Sequence, residues 1–142
     1  MIRTISIPYY TSSMDLHVEE KNLKTVITAK TEDYVPEKSP KELIEDALEH
    51  PIGTPKLSEL AKGKNKVVLV TSDHTRAVPS RLTLPILLKE IRKGNPDADI
   101  IILIATGLHR ETTEEEQRRM FGDDIVDHEK ISVNHAFQNE EF

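Results

Sequence analysis

Two short polar strings carry most of the chemistry this chain offers: Ser72-Asp73-His74-Thr75-Arg76 and Thr106-Gly107-Leu108-His109-Arg110. Arg76 presents a planar, permanently charged fork suited to a carboxylate or a phosphate. Asp73 can accept from ribose hydroxyls or orient Arg76. Thr75 and the backbone N–H groups around it suit a phosphate oxygen. Imidazole is the side chain of this set whose chemistry suits proton transfer at neutral pH, so His109 is the natural proton carrier. Gly107 lets the chain turn sharply or approach a ligand closely. Each residue also has a plainer use: Asp73 capping its own loop, Arg76 pairing with a surface carboxylate, His109 sitting solvated. Placement after two consecutive strands favours a shared site.

The elements that must position these loops are legible in the hydrophobic pattern. Val67-Val68-Leu69-Val70 is a continuous apolar run, the mark of a strand covered on both faces, and Ile100 to Ile104 is a second. Between them Leu84, Leu87, Leu88 and Ile91 recur at helical spacing. Pro85 belongs in a first helical turn, which predicts a helix starting near Thr83 and ending at Gly94-Asn95-Pro96. Thr112 or Thr113 caps a polar helix through Arg119, with Glu115 and Glu116 near its positive end, and Ile131-Ser132-Val133 reads as a third strand. Alternation of strand and helix implies a parallel sheet with right-handed crossovers. Ligands bind at the carboxyl ends of such strands, where both polar strings lie. If the two strands are neighbours about 5 Å apart, Asp73, Arg76 and His109 can meet around one small molecule.

The first third reads differently. Ile2, Ile5 and Ile7 mark a strand ending at Pro8; Met14 to Glu19 alternates; Leu23 to Ala29 is rich in β-branched residues, with Asn22 at the intervening turn. This predicts a small antiparallel unit with one face exposed. Ser39-Pro40 then opens a helix whose capping box is completed by Glu42, whose apolar face is Leu43, Ile44, Ala47 and Leu48, and which Pro51 and Gly53 end. A helical turn is expected at Leu57 to Ala61. The fold class expected is α/β: a parallel-sheet Rossmann-like core with helices on its faces, preceded by the antiparallel unit.

Composition bounds the function. The 142 residues, 37% apolar and 31% charged, suit one folded domain. No cysteine is present, so any metal site would use histidine or carboxylates. A net charge of −6 argues against a nucleic-acid surface. No apolar run reaches membrane-spanning length and no signal-peptide core occurs, so a cytoplasmic protein is expected. Glycine-rich phosphate loops of the G-x-G-x-x-G or Walker type are missing, as is a G-x-S-x-G elbow. The sequence closes on Asn134 to Phe142 just after a strand pattern, as a natural terminus or a piece of a longer protein would.

The string Ser72 to Arg76 followed by Pro79, together with Thr106 to Arg110, closely resembles the N-terminal domain of the nickel-dependent lactate racemase family. The resemblance spans essentially the whole chain and rests on two separated motifs in the right order. It implies an isomerase that interconverts the stereoisomers of lactate or a related 2-hydroxy acid by proton-coupled hydride transfer. The implied cofactor is a nickel-pincer pyridinium mononucleotide. Residues 1–142 would form the N-terminal catalytic, cofactor-binding domain of a two-domain enzyme, its partner being the rest of its own polypeptide. Asp73, His74, Thr75 and Arg76 would contact the cofactor; Arg76 would also hold the substrate carboxylate, and His109 would be one of two acid–base histidines. The second histidine, the cofactor-bonding lysine and the nickel-ligating histidine are expected outside this chain. No metal ligand is assigned within it, and His17, His50, His128 and His135 read as structural or solvated. Ala77 stands where family members often have proline, a local loop difference. Two rival readings remain: a racemase or epimerase of another 2-hydroxy acid using the same cofactor, and a non-catalytic mononucleotide-binding domain.

Overall fold

The computed structural model describes residues 1–136, the side chain of Glu32 excepted; Phe137 to Phe142, the end of the sequence noted above, lie outside the described residues. It comprises two units, Met1–Glu37 and Lys38–Phe142.

The first unit is a hairpin. Strands β1 (Ile2–Tyr9) and β2 (Ser12–Glu19) pair antiparallel, with Ile5 opposite Leu16 and Tyr9 opposite Ser12. The turn at Tyr10-Thr11 uses a left-handed Tyr10 with φ of 52°, a conformation that costs a non-glycine residue some strain. Strand pairing differs from the sequence expectation. Met14 to Glu19 pairs with the N-terminal strand, and the stretch from Leu23 to Ala29 is not a strand at all. Asn22 ends a short 3-10 turn (Glu20–Asn22) instead of joining two strands. Ile7, Met14 and Leu16 are exposed, so the hairpin has no buried face of its own.

The second unit opens with helix α1 (Pro40–Glu49). Ser39 caps it: the Glu42 N–H donates to Ser39 Oγ at 3.3 Å and the Ser39 N–H donates to Glu42 Oε2 at 2.8 Å. A short helix α2 (Leu57–Ala61) follows. Strands β3 (Lys66–Ser72), β4 (Asp99–Ala105) and β5 (Lys130–Val133) then form a parallel sheet in the order β3-β4-β5. Helix α3 (Ser80–Gly94) connects the first pair, and α4 (Glu114–Phe121) with α5 (Asp123–His128) connects the second.

Strands running in chain order with right-handed crossovers place every connecting helix on one face of the sheet. Burial follows that rule. Ile100, Ile102 and Ile104 pack with Leu84, Leu88 and Ile91 of α3, Phe121 of α4 and Ile125 of α5. The other face carries Val68 and Val70, which are 48% and 68% exposed. The reading of Val67 to Val70 as covered on both faces is therefore corrected: alternate residues of this run see the core and the rest see solvent. The reason is that the connecting helices pack on one face of the sheet, and β3, at the edge, has a neighbour on one side alone.

Helix α3 begins at Ser80, earlier than Thr83, with Pro85 inside it. Proline there leaves the Arg81 carbonyl without its usual i+4 donor, a local cost that burial of Leu84, Leu88 and Ile91 offsets. Gly94, expected as a terminator, does more. A Cβ on it would lie 1.8 Å from the Ser58 carbonyl oxygen of α2. Beside it, the Asn95 side-chain amide donates to the Ala61 and Lys64 carbonyls at 3.0 and 2.7 Å, satisfying the end of α2. The end of α3 and the backbone of α2 are thus in direct contact, with no space for a methyl group. Gly94→Ala should destabilise the fold by about 1–3 kcal/mol through overpacking. Denaturant titration would report it as a lower midpoint at unchanged slope, and an unaltered midpoint would refute the close approach.

Candidate active site

Register brings the two polar loops together. Ser72 pairs with Ala105 at the ends of β3 and β4, so the following residues, Asp73 and Thr106, leave the sheet side by side at the same level. Both are buried. The Thr106 hydroxyl donates to the Asn134 carbonyl at 2.5 Å, and the His109 N–H returns to the Thr106 carbonyl at 3.0 Å. Gly107 makes that return possible with φ of 58°; open space surrounds the position where a side chain would start, so dihedral freedom, not crowding, is what glycine supplies. Across the gap, the Arg76 N–H closes a turn onto the Asp73 carbonyl at 3.3 Å.

Asp73 is the centre of the arrangement, 2% exposed. Its Oδ1 accepts from the Thr75 N–H at 3.1 Å and from the Thr75 hydroxyl at 2.6 Å. Its Oδ2 meets His109 Nδ1 at 2.5 Å. The hydrogen bond from Thr75, above all, lowers its pKa to about 2 against the opposing effect of burial; the contact with His109 adds to the lowering. An ionised carboxylate can only accept, so the Asp73–His109 contact requires a proton on Nδ1. In the neutral imidazole Nε2 then carries the free lone pair. His109 is half exposed.

Asp73, Arg76, Gly107 and His109 line one open cavity of about 270 Å3, together with Ser72 and Thr106. Arg76 and His109 thus share a cavity. His74 and Thr75 do not line it. Thr75 spends its hydroxyl on Asp73, and the His74 ring packs at the side, Nδ1 3.4 Å from Thr112 Oγ1 and Nε2 3.7 Å from Glu116. Of the two uses considered for Asp73 as a ligand-facing group, orienting Arg76 is not what its oxygens do; they hold Thr75 and His109. Among the described residues Arg76 has no ion-pair partner, and no three His, Asp or Glu side chains gather to hold a metal ion.

Two residues that the sequence marks only as features of a helix start, Thr112 and Glu116, are brought in by the geometry, while the cap itself is Thr113. Thr112 is buried at 2% exposure beside His74. Glu116 was read as a favourable charge at a helix start. It does complete a capping box with Thr113, but its carboxylate also accepts a two-pronged bond from Arg110, at 2.9 and 2.6 Å. The Thr-x-x-Glu spacing signals the cap; nothing in the spacing signals the arginine. The remaining histidines lie apart: His17 with Thr4, His50 beside Asp46, His128 beside Asp124 and His135 near Glu111. Among the described residues no helix is long and apolar enough to cross a membrane.

Nearly the whole chain is similar to known proteins. The family model for the lactate racemase N-terminal domain matches residues 9–142. The chain is 45% identical over 136 residues to the lactate racemase of Thermoanaerobacterium thermosaccharolyticum, covering 96% of this chain and 32% of that protein. It is 42% identical over 130 residues to the lactate racemase of Lactiplantibacillus plantarum, covering 92% of this chain and 31% of that protein. The solved lactate racemase apoprotein from T. thermosaccharolyticum matches the fold with a TM-score of 0.79 at 44% identity, over 94% of this chain and 30% of its own. The chain therefore spans about a third of the length of the curated relatives it matches. It belongs to the lactate racemase N-terminal domain family.

Proposed function

We propose that the chain works as the N-terminal catalytic domain of an enzyme that racemises lactate, supplying one acid–base histidine, its carboxylate partner and a cation for the substrate. The observation that carries this reading is the Asp73–His109 contact beside Arg76 in one cavity. A 2-hydroxy acid needs a cation at its carboxylate and a proton acceptor at its hydroxyl, at short range from each other. Arg76 and His109 are the pair of side chains that meets both needs.

The residues present also fit the organic part of a nickel-pincer pyridinium mononucleotide. The cavity is open, Arg76 offers a fork for phosphate or carboxylate, and Gly107 leaves space above the loop. When bound, such a group supplies an acceptor for the hydride of the substrate α-carbon. In this reading the nickel-ligating histidine, the cofactor-bonding lysine and the second acid–base histidine come from outside this chain. Within it, Arg76 orients the carboxylate. His109 Nε2 takes the hydroxyl proton as the α-carbon becomes a carbonyl, and returns it when the opposite stereoisomer forms. Asp73 fixes the tautomer and stabilises the imidazolium in the interval. His74 and Thr75 support the site indirectly, Thr75 by holding Asp73.

Three outcomes test the proposal. In the full-length, cofactor-loaded protein His109→Ala should cut lactate racemisation by about 10²- to 10⁴-fold while cofactor loading, read by absorbance, is nearly intact. Undiminished turnover would remove His109 from the mechanism, and turnover confined to a non-lactate hydroxy acid in a substrate panel would move the enzyme to the rival substrate class. Asp73→Asn should likewise depress turnover, by at least about 10²-fold, because an amide can donate to Nδ1 and reverse the tautomer. The same residue predicts an acid limb of stability. Its pKa is lower folded than unfolded, so its contribution is whole above about pH 4 and fades as pH falls toward 2. Thermal midpoints of wild type and Asp73→Asn should therefore converge across that window; a constant difference would contradict it.

A further inference from the structure

Two members of the polar strings, His74 and Arg110, have no part in the chemistry above, yet both lead to one carboxylate. Glu116 is 8% exposed, at the third position of α4. Its oxygens accept from Arg110 Nη1 and Nη2 at 2.9 and 2.6 Å and from the Thr113 N–H and hydroxyl at 2.9 and 3.2 Å. His74 Nε2 faces it at 3.7 Å, with Nδ1 of the same ring 3.4 Å from Thr112 Oγ1. His74 belongs to the loop after β3, and Arg110 to the loop after β4. Each is the immediate chain neighbour of one half of the Asp73–His109 pair.

We infer that Glu116 is a positioning residue for the reaction, which fixes His109 relative to Asp73 by holding the loop after β4 through its fork to Arg110, with the His74 ring of the other loop packed beside the same carboxylate. The inference rests on the function proposed above and deepens it. Its physical basis is lever length. One residue of backbone separates Arg110 from His109, and a carboxylate-guanidinium fork fixes orientation as well as distance. A shift of about 1 Å at His109 is enough to break the contact to Asp73 and release the imidazole to both tautomers. The Arg110 side chain is more than half exposed, so its own solvation does not demand Glu116. The half of the pair withdrawn from water is Glu116, a costly placement for a helix cap alone, which a surface glutamate provides equally well.

Glu116→Gln separates the two roles. Glutamine at this helix position still completes the capping box, whereas the charged fork to Arg110 is lost. In the full-length, cofactor-loaded protein we expect Glu116→Gln to lower kcat about 10- to 100-fold with KM for lactate little changed and the thermal midpoint nearly unmoved. Arg110→Gln should do the same, and the double variant should be no worse than either single one, as for residues acting as one unit. Nitrogen NMR of histidine, read without substrate, should show His109 as a single tautomer protonated at Nδ1 in wild type and as a mixture in Glu116→Gln. A retained single tautomer with full kcat would overturn the inference. So would additive losses in the double variant accompanied by a matching fall in thermal midpoint, which is the signature of a purely structural pair. If His109→Ala stays active, the proposed function fails, while the tautomer readout still decides whether Glu116 positions His109.

Discussion

The parallel pairing of β3 with β4, in a register that ends both strands together, is the constraint on which the site depends. With Ser72 opposite Ala105, the first residue beyond each strand is Asp73 or Thr106, and both are buried. A slip of one residue would turn every side chain of one strand to the opposite face. Such a slip would bury Val68 and Val70 if β3 moved, or expose Ile100, Ile102 and Ile104 if β4 moved. The hydrophobic pattern of β4, in which Ile100, Ile102 and Ile104 are buried and alternate residues are less so, therefore fixes the positions of Asp73 and His109 indirectly. Packing determines register, register determines where the loops start, and the loops carry the chemistry.

Much of this was readable beforehand because it is local. Ser39 and Glu42 announce a capping box by spacing alone, and the structure has it. The apolar runs at Val67 and Ile100 announce strands, and the strand-helix-strand alternation announces a parallel sheet. What escaped depends on partners distant in sequence. Leu23 to Ala29 has strand composition but no strand to pair with, and composition cannot supply one. Val68 and Val70 are as apolar as buried residues, yet edge position and one-sided helix packing leave them exposed. Gly94 looks like a stop signal, while its small size matters because Ser58 presses against it. In the site, residue types identified Asp73, Arg76 and His109 as a group. That Asp73 faces His109 and not Arg76 was not legible, since it depends on how two loops turn after leaving the sheet.

The buried charges divide the work. Asp73 and Glu116 both have lowered pKa values, Asp73 first through the Thr75 hydrogen bond and Glu116 first through Arg110. Neither carboxylate relies on one partner. Each accepts from a backbone N–H and from a hydroxyl two or three positions away, so local geometry meets part of the desolvation cost before the other loop contributes. This leaves one oxygen of each free to reach across, Asp73 toward His109 and Glu116 toward Arg110 and His74. Asp73 thus ties the two loops to each other, and Glu116 braces the second of them from the helix that follows it. Two fixed points, at His109 and Arg110, orient the second loop where one would only tether it.

The two arginines of the polar strings show the same division from the cationic side. Arg110 is held by Glu116 in a fork whose two bonds are short and nearly parallel in role to those between Arg92 and Glu129, which fasten α3 to the start of β5. In both, the charge is already answered. Arg76 lies in the cavity with no ion-pair partner among the described residues. A guanidinium already engaged by a carboxylate has little left for a ligand, because its planar donors are occupied and its charge is neutralised. For recognising an anionic substrate, the useful arginine is the one the fold does not use. On the proposed function, the arrangement of charge therefore favours Arg76 over Arg110 for that task, although the two stand at matching places in their strings.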